Sequence, residues 1–459
     1  MLKMHILETL LKLIKNILKL MKNKIIINNK ISDFNKVINV PGDKSLSIRW
    51  VLFASIATGK SKAYNLLMSE DVMAALQGVK KLGAKVIIKS KFCEIIGVGN
   101  KGYKYRDNLV INAKNSGTFA RLILGLLIDA KKKIKLIGDK SLSKRDFKRV
   151  ADPLTKFGAK IDLPKNKGLP LYIAGSKKLK PINYFEHRGS AQCKSSVILA
   201  GLKSNSETTI KAKKSRNHTE LLCEYLRLPL KLKIKKEYDI IKVKKPNKIK
   251  PLNYKIPSDI SSSAFFIVLT ILNKNSSLLI KNVNINPSRT GIISILKMMG
   301  ANITYKNKKK YKGELISDIF VRSSKKLNSI NCPTKFNSGA IDEFLVIFLV
   351  AAKAKGVSTF RDLSEMNKKE SPRLIWGSKI LDQMGVKNIV TDNMIKIFGN
   401  PNLLLTKKIV IKNFLKDHRV FMTSVVAGLV FGGNWHIHDK DSIVTSFPSF
   451  LKKIDELKQ

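Results

Sequence analysis

One phrase recurs along this chain: an amphipathic apolar run, a glycine, a small residue and then β-branched residues. It occurs at Val79–Val86, Leu154–Ile161, Leu296–Ile303 and Leu381–Ile389, with glycines at 83, 158, 300 and 385. A glycine just past a helical run suits the left-handed C′ position, so each copy predicts a helix that closes into a strand. The interval from 158 to 300 is about double the others, and a degenerate copy, Leu221–Leu230, fills it. A sixth helix is expected from Pro448 to Leu457. A repeat of roughly 70 residues is a folding unit with its own helices and strands, not a solenoid turn. Six such α/β units in 459 residues are most economically two domains of three.

The composition is that of a folded protein, with 44% hydrophobic and 26% charged residues. A net charge of +54 invites a nucleic-acid reading, but the lysines run the whole length beside Ile and Asn, and aromatics are only 7%. A nucleic-acid footprint concentrates its cations on one face or tail. The pattern is a chain-wide compositional drift, and no nucleic-acid partner is expected. Such a field still favours capture of anionic small molecules. Cys93, Cys193, Cys223 and Cys332 lie far apart and read as reduced thiols of a cytoplasmic protein. His436 and His438 alternate on a predicted strand without a third ligand in view, so no metal is assigned. Residues 1–22 form a basic amphipathic pattern, too often interrupted by lysine to span a bilayer. A transit-like segment, a membrane-surface helix and a functionless extension with Met21 as an alternative start all remain open.

Pro41–Arg49 leaves an apolar run, turns at Pro-Gly and loads a helix start with Lys44, Ser45, Ser47 and Arg49. Unpaired N–H groups and the helix dipole make such a start an anion site. The theme returns at Asn115–Thr118 with Arg121, at Gly138–Arg145, at Gly189–Ser196 and at Lys214–His218. The second half supplies acids at helix starts: Asp342 and Glu343, then Glu370 before Arg373, then Asp417 before His418 and Arg419. Each alone is an ordinary cap. Together they set a general acid/base pair against cations. Thr58–Ser61 lacks the upstream glycine of a P-loop. Gly97–Gly102 matches GxGxxG without a following helix and reads as a turn between strands.

In their order, PGDKSLSIR, NSGTFAR, GDKSLSKRDF, GSAQCKSSVILAGL, SRNHTE, PSDISSSAFF, INPSRTG, AIDEF, NKKESPR, KDHRV and SFPSF resemble the 5-enolpyruvylshikimate-3-phosphate synthase family from about Asn39 to Phe450. The resemblance implies a two-domain, inside-out α/β barrel-like fold of six βαβαββ repeats, three per domain, hinged by two crossovers. The first domain would cover 43–257 and the second 258–459 with the strand region 24–42. It implies transfer of the enolpyruvyl group of phosphoenolpyruvate to the 5-hydroxyl of shikimate 3-phosphate in a cleft, by a cytoplasmic monomer without metal or organic cofactor. Carried over by motif, Lys44, Ser45 and Arg49 would bind shikimate 3-phosphate, with Lys44 also at the reacting centre. Asn115, Gly117, Arg121 and Arg145 would take phosphoenolpyruvate. Ser190, Ala191, Gln192 and Ser215 would hold shikimate 3-phosphate, while Lys369, Arg373 and Arg419 clamp from the other side. Asp342 resembles the base on the 5-hydroxyl and Glu370 the acid at C3, supported by His418.

Four positions depart from the family pattern. Pro372 stands for a usual aspartate, Asn367 for an arginine, Thr445 for a lysine of some members, and Ile48 where His or Asn is frequent. The homologous UDP-N-acetylglucosamine enolpyruvyl transferases carry a loop cysteine that none of the four here matches.

Overall fold

The computed structural model describes residues 23–459, so the amphipathic pattern at 1–22 lies outside the described residues. Helices Glu70–Lys81, Lys148–Lys156, Gly291–Met298 and Arg373–Gln383 each stop just before a repeated glycine. Gly83, Gly158, Gly300 and Gly385 have φ of 102°, 106°, 90° and 75°, a region glycine enters without a Cβ penalty. Strands follow at Lys85–Ile88, Lys160–Asp162, Asn302–Tyr311 and Asn388–Val390. The degenerate copy is the helix His218–Tyr225 leading to the strand Leu230–Ile234, and the chain ends in the helix Phe450–Lys458.

The units build six small sheets among the described residues, four of four strands and two of three. The sheet holding Leu109–Asn112 and Ile134–Ile137 is typical. Those two strands pair in parallel across the helix Gly117–Leu126, and an antiparallel hairpin, Lys160–Asp162 with Leu171–Ala174, completes it. Parallel neighbours need such a crossover, which is what a βαβ unit supplies. Early strands join late ones: Asn35–Ile38 pairs with Ser277–Asn284, and Lys24–Ile27 with Gly432–His438.

The sheets lie outside and the helices inside. All thirteen residues of Ile260–Leu272 and all fourteen of His418–Phe431 are buried, whereas Leu230–Ile234 and Asn302–Tyr311 are mostly exposed. Buried apolar side chains form two clusters. One runs from Leu46 to Ile256; the other joins Ile31–Val40 to Ile260–Leu457. In the first, a Cβ on Gly125 would lie 2.1 Å from the carbonyl oxygen of Ser196, so glycine lets helix Gly117–Leu126 approach helix Ala191–Gly201 closely.

Two antiparallel segments connect the clusters. Asp43 N–H donates to the Pro257 carbonyl at 2.8 Å, and Asp259 N–H to that of Pro41 at 3.1 Å. Beside them lies a buried polar cluster. His218 Nδ1 is 2.7 Å from Glu314 Oε1, and Arg289 reaches Asp43, Asp259 and Ser261. Charges taken this far from water persist only when paired, and each here is.

Candidate active site

Six helix starts converge on one cavity of about 370 Å³. Lys44–Ile56, Gly117–Leu126 and Ala191–Gly201 come from one side, and Ile260–Leu272, Arg373–Gln383 and His418–Phe431 from the other. Asp43, Ser116, Ser190, Asp259 and Asp417 cap five of them, each accepting a backbone N–H of its own first turn. The remaining N–H groups and the dipoles favour negative charge inside. Eleven lysines and arginines line the cavity against six carboxylates, a positive excess that favours anionic ligands.

Arg121 and Arg145 stand together on the first side. Arg121 donates to Gln192 Oε1 at 2.8 Å, and Arg145 to Asn115 Oδ1 at 3.0 Å. Burial first, then the neighbouring guanidiniums of Arg149 and Arg145, pushes the Arg121 pKa down to about 10, a measure of how much positive charge is crowded there. Gln192 also donates to Thr118 at 3.0 Å. Ser215 Oγ is buried with no partner among the described residues, and Ser190, Ala191 and Gly117 line the wall. Lys44 pairs with Asp71 at 3.0 Å, and its N–H donates to Asp259 at 3.1 Å.

On the second side one guanidinium holds both predicted catalytic carboxylates. Arg373 Nη1 lies 3.3 Å from Asp342 Oδ1, its Nη2 hydrogen-bonds Glu370, and its Nε donates to Asp417 at 2.8 Å. Cations of the first side complete the pairs: Arg216 to Asp342 at 2.6 Å, and Arg145 to Glu370 at 3.3 Å. Burial alone would raise both acids. Lys369 and Arg216 outweigh it at Asp342, and Arg373 and Arg145 at Glu370, holding both well below the usual carboxylate range. Lys369 is 3.3 Å from Asp342, and Arg419 donates to the Asp342 carbonyl at 2.7 Å. Burial and then Lys44 depress the His418 pKa to about 3, so its ring is neutral.

Every predicted site residue lines this cavity except Arg49. Arg49 is buried behind the wall, its donors spent on Thr219 at 2.8 Å, Ser195 at 3.1 Å and the Ser45 carbonyl at 3.1 Å. Its position in the first helix turns it into the core, and what it fixes is the backbone at Ser45. Asp342 and Glu370, which in isolation resemble caps, spend their oxygens on cations. Asp71, Arg149, Arg216 and Arg289 also line the cavity and were not assigned from sequence. Arg216 and Arg289 sit in quoted motifs; Asp71, after Ser69, looks like any acidic first turn. Of the departures, Asn367 Oδ1 accepts the Leu374 N–H at 3.1 Å, Pro372 occupies the N-cap of its helix, and Ile48 is core.

The family model described as EPSP synthase (3-phosphoshikimate 1-carboxyvinyltransferase) matches residues 28–454. The 3-phosphoshikimate 1-carboxyvinyltransferase of Ruthia magnifica subsp. Calyptogena magnifica is 38% identical over 92% of this chain and 94% of its own length. That of Caldicellulosiruptor bescii is 37% identical over 91% and 95%. Among solved structures, EPSP synthase from Acinetobacter baumannii superposes with a TM-score of 0.83 at 34% identity, covering 95% of this chain and 98% of that one. The enolpyruvyl transferase NikO from Streptomyces tendae shares the fold with a TM-score of 0.74 at 13% identity, over 95% and 97%. With the family match spanning both halves of the cavity wall, the chain belongs to the EPSP synthase (3-phosphoshikimate 1-carboxyvinyltransferase) family.

Proposed function

We propose that this protein transfers the enolpyruvyl group of phosphoenolpyruvate to the 5-hydroxyl of shikimate 3-phosphate and releases phosphate, the shikimate-pathway step of its family. The observation that carries the assignment of roles is the Arg373 fork, which holds Asp342 and Glu370 on one guanidinium while each faces a different cation set across the cavity. Glu370 meets Arg145, beside Arg121: this is the phosphoenolpyruvate end, where two guanidiniums suit a phosphate and a carboxylate. Asp342 meets Arg216, next to Ser215: with Ser190, Ala191 and Gln192, this is the shikimate 3-phosphate end. Ser45 and Lys44 lie between, and Arg49 acts through Ser45.

In the addition step the 5-hydroxyl oxygen bonds to C2 of phosphoenolpyruvate, its proton goes to Asp342, and C3 takes a proton from Glu370. In the elimination step C3 returns that proton to Glu370, the C2–O bond to phosphate breaks, and phosphate leaves carrying the proton first taken from the hydroxyl. Both carboxylates are counter-ions of arginines before substrate arrives. Anionic substrates compete for those arginines, which lets Glu370 gain the proton it must donate. Lys44, Lys369 and Arg419 stabilise charge that develops in a site shielded from water.

Among the described residues no helix is long and apolar enough to cross a membrane; with four unpaired thiols, this supports action in the cytoplasm. The decisive experiment is phosphate release from the purified, folded chain. Release should require both shikimate 3-phosphate and phosphoenolpyruvate; none with both present rejects the assignment.

A further inference from the structure

Asn302–Tyr311 and Glu314–Arg322 pack into the second apolar cluster and are joined by Lys312 and Gly313, both at positive φ (49° and 89°), as a two-residue hairpin turn requires. The tip of this hairpin reaches the first cluster. A Cβ on Gly313 would stand 2.6 Å from the Leu221 carbonyl oxygen, and the Tyr311 ring stacks on Tyr254 with centroids 5.6 Å apart. Gly313 thus seats Glu314 against the helix His218–Tyr225. Glu314 Oε2 accepts from the side-chain amides of Asn284 and Asn286 at 3.2 and 3.0 Å, which leaves Oε1 facing His218 Nδ1 at 2.7 Å.

The other ring nitrogen fixes the direction of that bond. His218 Nε2 lies 3.3 Å from Arg289 Nη1. A guanidinium only donates, so Nε2 accepts, the ring proton sits on Nδ1, and Glu314 receives it. Nη1 also serves Asp43 Oδ2 at 3.3 Å, while Nη2 serves Asp259 Oδ1 at 3.4 Å and Ser261 Oγ at 2.7 Å. The remaining oxygens of the two carboxylates hold backbone on either side of Ser45. Asp259 Oδ2 accepts the Lys44 N–H at 3.1 Å, and Asp43 Oδ1 the Leu46 N–H at 2.8 Å. Glu314, His218 and Arg289 are all buried. We propose that His218 is a positioning residue for the transfer: oriented by Glu314 of the hairpin, it aims Arg289 at Asp43 and Asp259 and so fixes the helix start that presents Lys44 and Ser45 to the substrates. Without the ring, one Arg289 proton and one Glu314 oxygen are buried with no partner, and the guanidinium turns to find another. Lys44 and Ser45 then lose their setting, whereas Arg121 and Arg145 hold Gln192 and Asn115 and keep theirs. The inference rests on the roles given above to Lys44 and Ser45.

Nitrogen NMR of the full-length protein labelled at histidine reads the tautomer without turnover. Of the six histidines, His218 is identified by loss of its signal in His218→Gln or, where that variant fails to fold, by elimination with the other five replaced singly. Protonated Nδ1 and bare Nε2 are expected; protonated Nε2 overturns the proposal. His218→Phe keeps a ring of similar size and removes both bonds. It should lower kcat about tenfold or more and raise the KM for shikimate 3-phosphate severalfold, with the KM for phosphoenolpyruvate within about twofold. Arg289→Lys keeps the charge but cannot fork to both carboxylates and the ring. It should show the same split, and it carries the test if the phenylalanine variant fails to fold. Unchanged kinetics in a folded variant overturn the proposal, as do two KM values that rise together, which is what a merely structural role gives. Failure of the underlying roles shows separately, as undiminished turnover in Lys44→Ala.

Discussion

Arg145 and Glu370 come from opposite walls of the cavity and stand 3.3 Å apart, so the acid of the proposed reaction is neutralised by a cation proposed to bind its substrate. The pair cannot survive binding of phosphoenolpyruvate to Arg145 unaltered.

Binding should therefore take up protons. With a shikimate 3-phosphate analogue lacking the 5-hydroxyl, so that no transfer follows, phosphoenolpyruvate titrated calorimetrically in buffers of different ionisation enthalpy should report net uptake near neutral pH. Glu370→Gln should abolish that uptake and lower kcat by roughly 10²–10⁴-fold. Equal uptake in the variant would assign the proton elsewhere.

Arg216 is one of the cations that hold the Asp342 carboxyl low, at 2.6 Å. Arg216→Ala should move the Asp342 pKa up, because burial then acts with less opposition. The acidic limb of the kcat profile should rise in pH by the same amount. An unmoved limb would mean that another group titrates there.

Gly125 sets the spacing of two helices that carry Arg121 and Gln192, themselves 2.8 Å apart. Gly125→Ala puts a methyl against the Ser196 carbonyl. It should cost about 1–3 kcal/mol in denaturant unfolding and raise the KM for phosphoenolpyruvate, since the helices must part. Unchanged stability and KM would show that the contact is slack.

His418 contributes to acid lability. Its folded pKa, about 3, lies below the ordinary 6.5. Between those values the unfolded chain binds a proton that the folded chain does not, so stability is complete above about pH 6.5 and falls as pH drops towards 3. Asp342 and Glu370, also depressed, add losses further down, whereas burial first, with Asp259 at Asp43 and Glu370 at Asp71 adding to it, raises those two carboxyls and gives the opposite sign. The melting temperature should fall between pH 7 and 5, and His418→Gln should flatten that fall. A parallel slope in the variant would clear His418.

The repeat was legible because a left-handed C′ glycine is a local requirement that recurs wherever the unit does. That Lys44, Asp342 and Glu370 share one cavity was foreshadowed by helix starts loaded with Lys, Ser and Arg in one half and acids in the other, while their roles came from the motif resemblance alone. That Arg49 lies behind the cavity wall had no local signal, because its side-chain direction depends on Thr219 and Ser195, more than a hundred residues away in sequence. Asp71 was missed because an acid in a first turn has the same local signature whether it caps a helix or pairs with Lys44. Pairing across the cavity, Arg145 with Glu370 or Arg216 with Asp342, is a tertiary property with no local signal at all.

The placement of helices inside and sheets outside has a consequence for the charge. Ile260–Leu272 contains no lysine, and His418–Phe431 has Arg419 as its one lysine or arginine; Asn302–Tyr311 alone carries four lysines. Lysine is tolerated on such outer strands and kept out of these two fully buried helices, because a lysine there must abandon water. Composition and chemistry thus occupy different layers of this molecule. The surplus of lysine lies largely on the outside of the molecule, while the helix starts that line the cavity keep a fixed set of cations and acids.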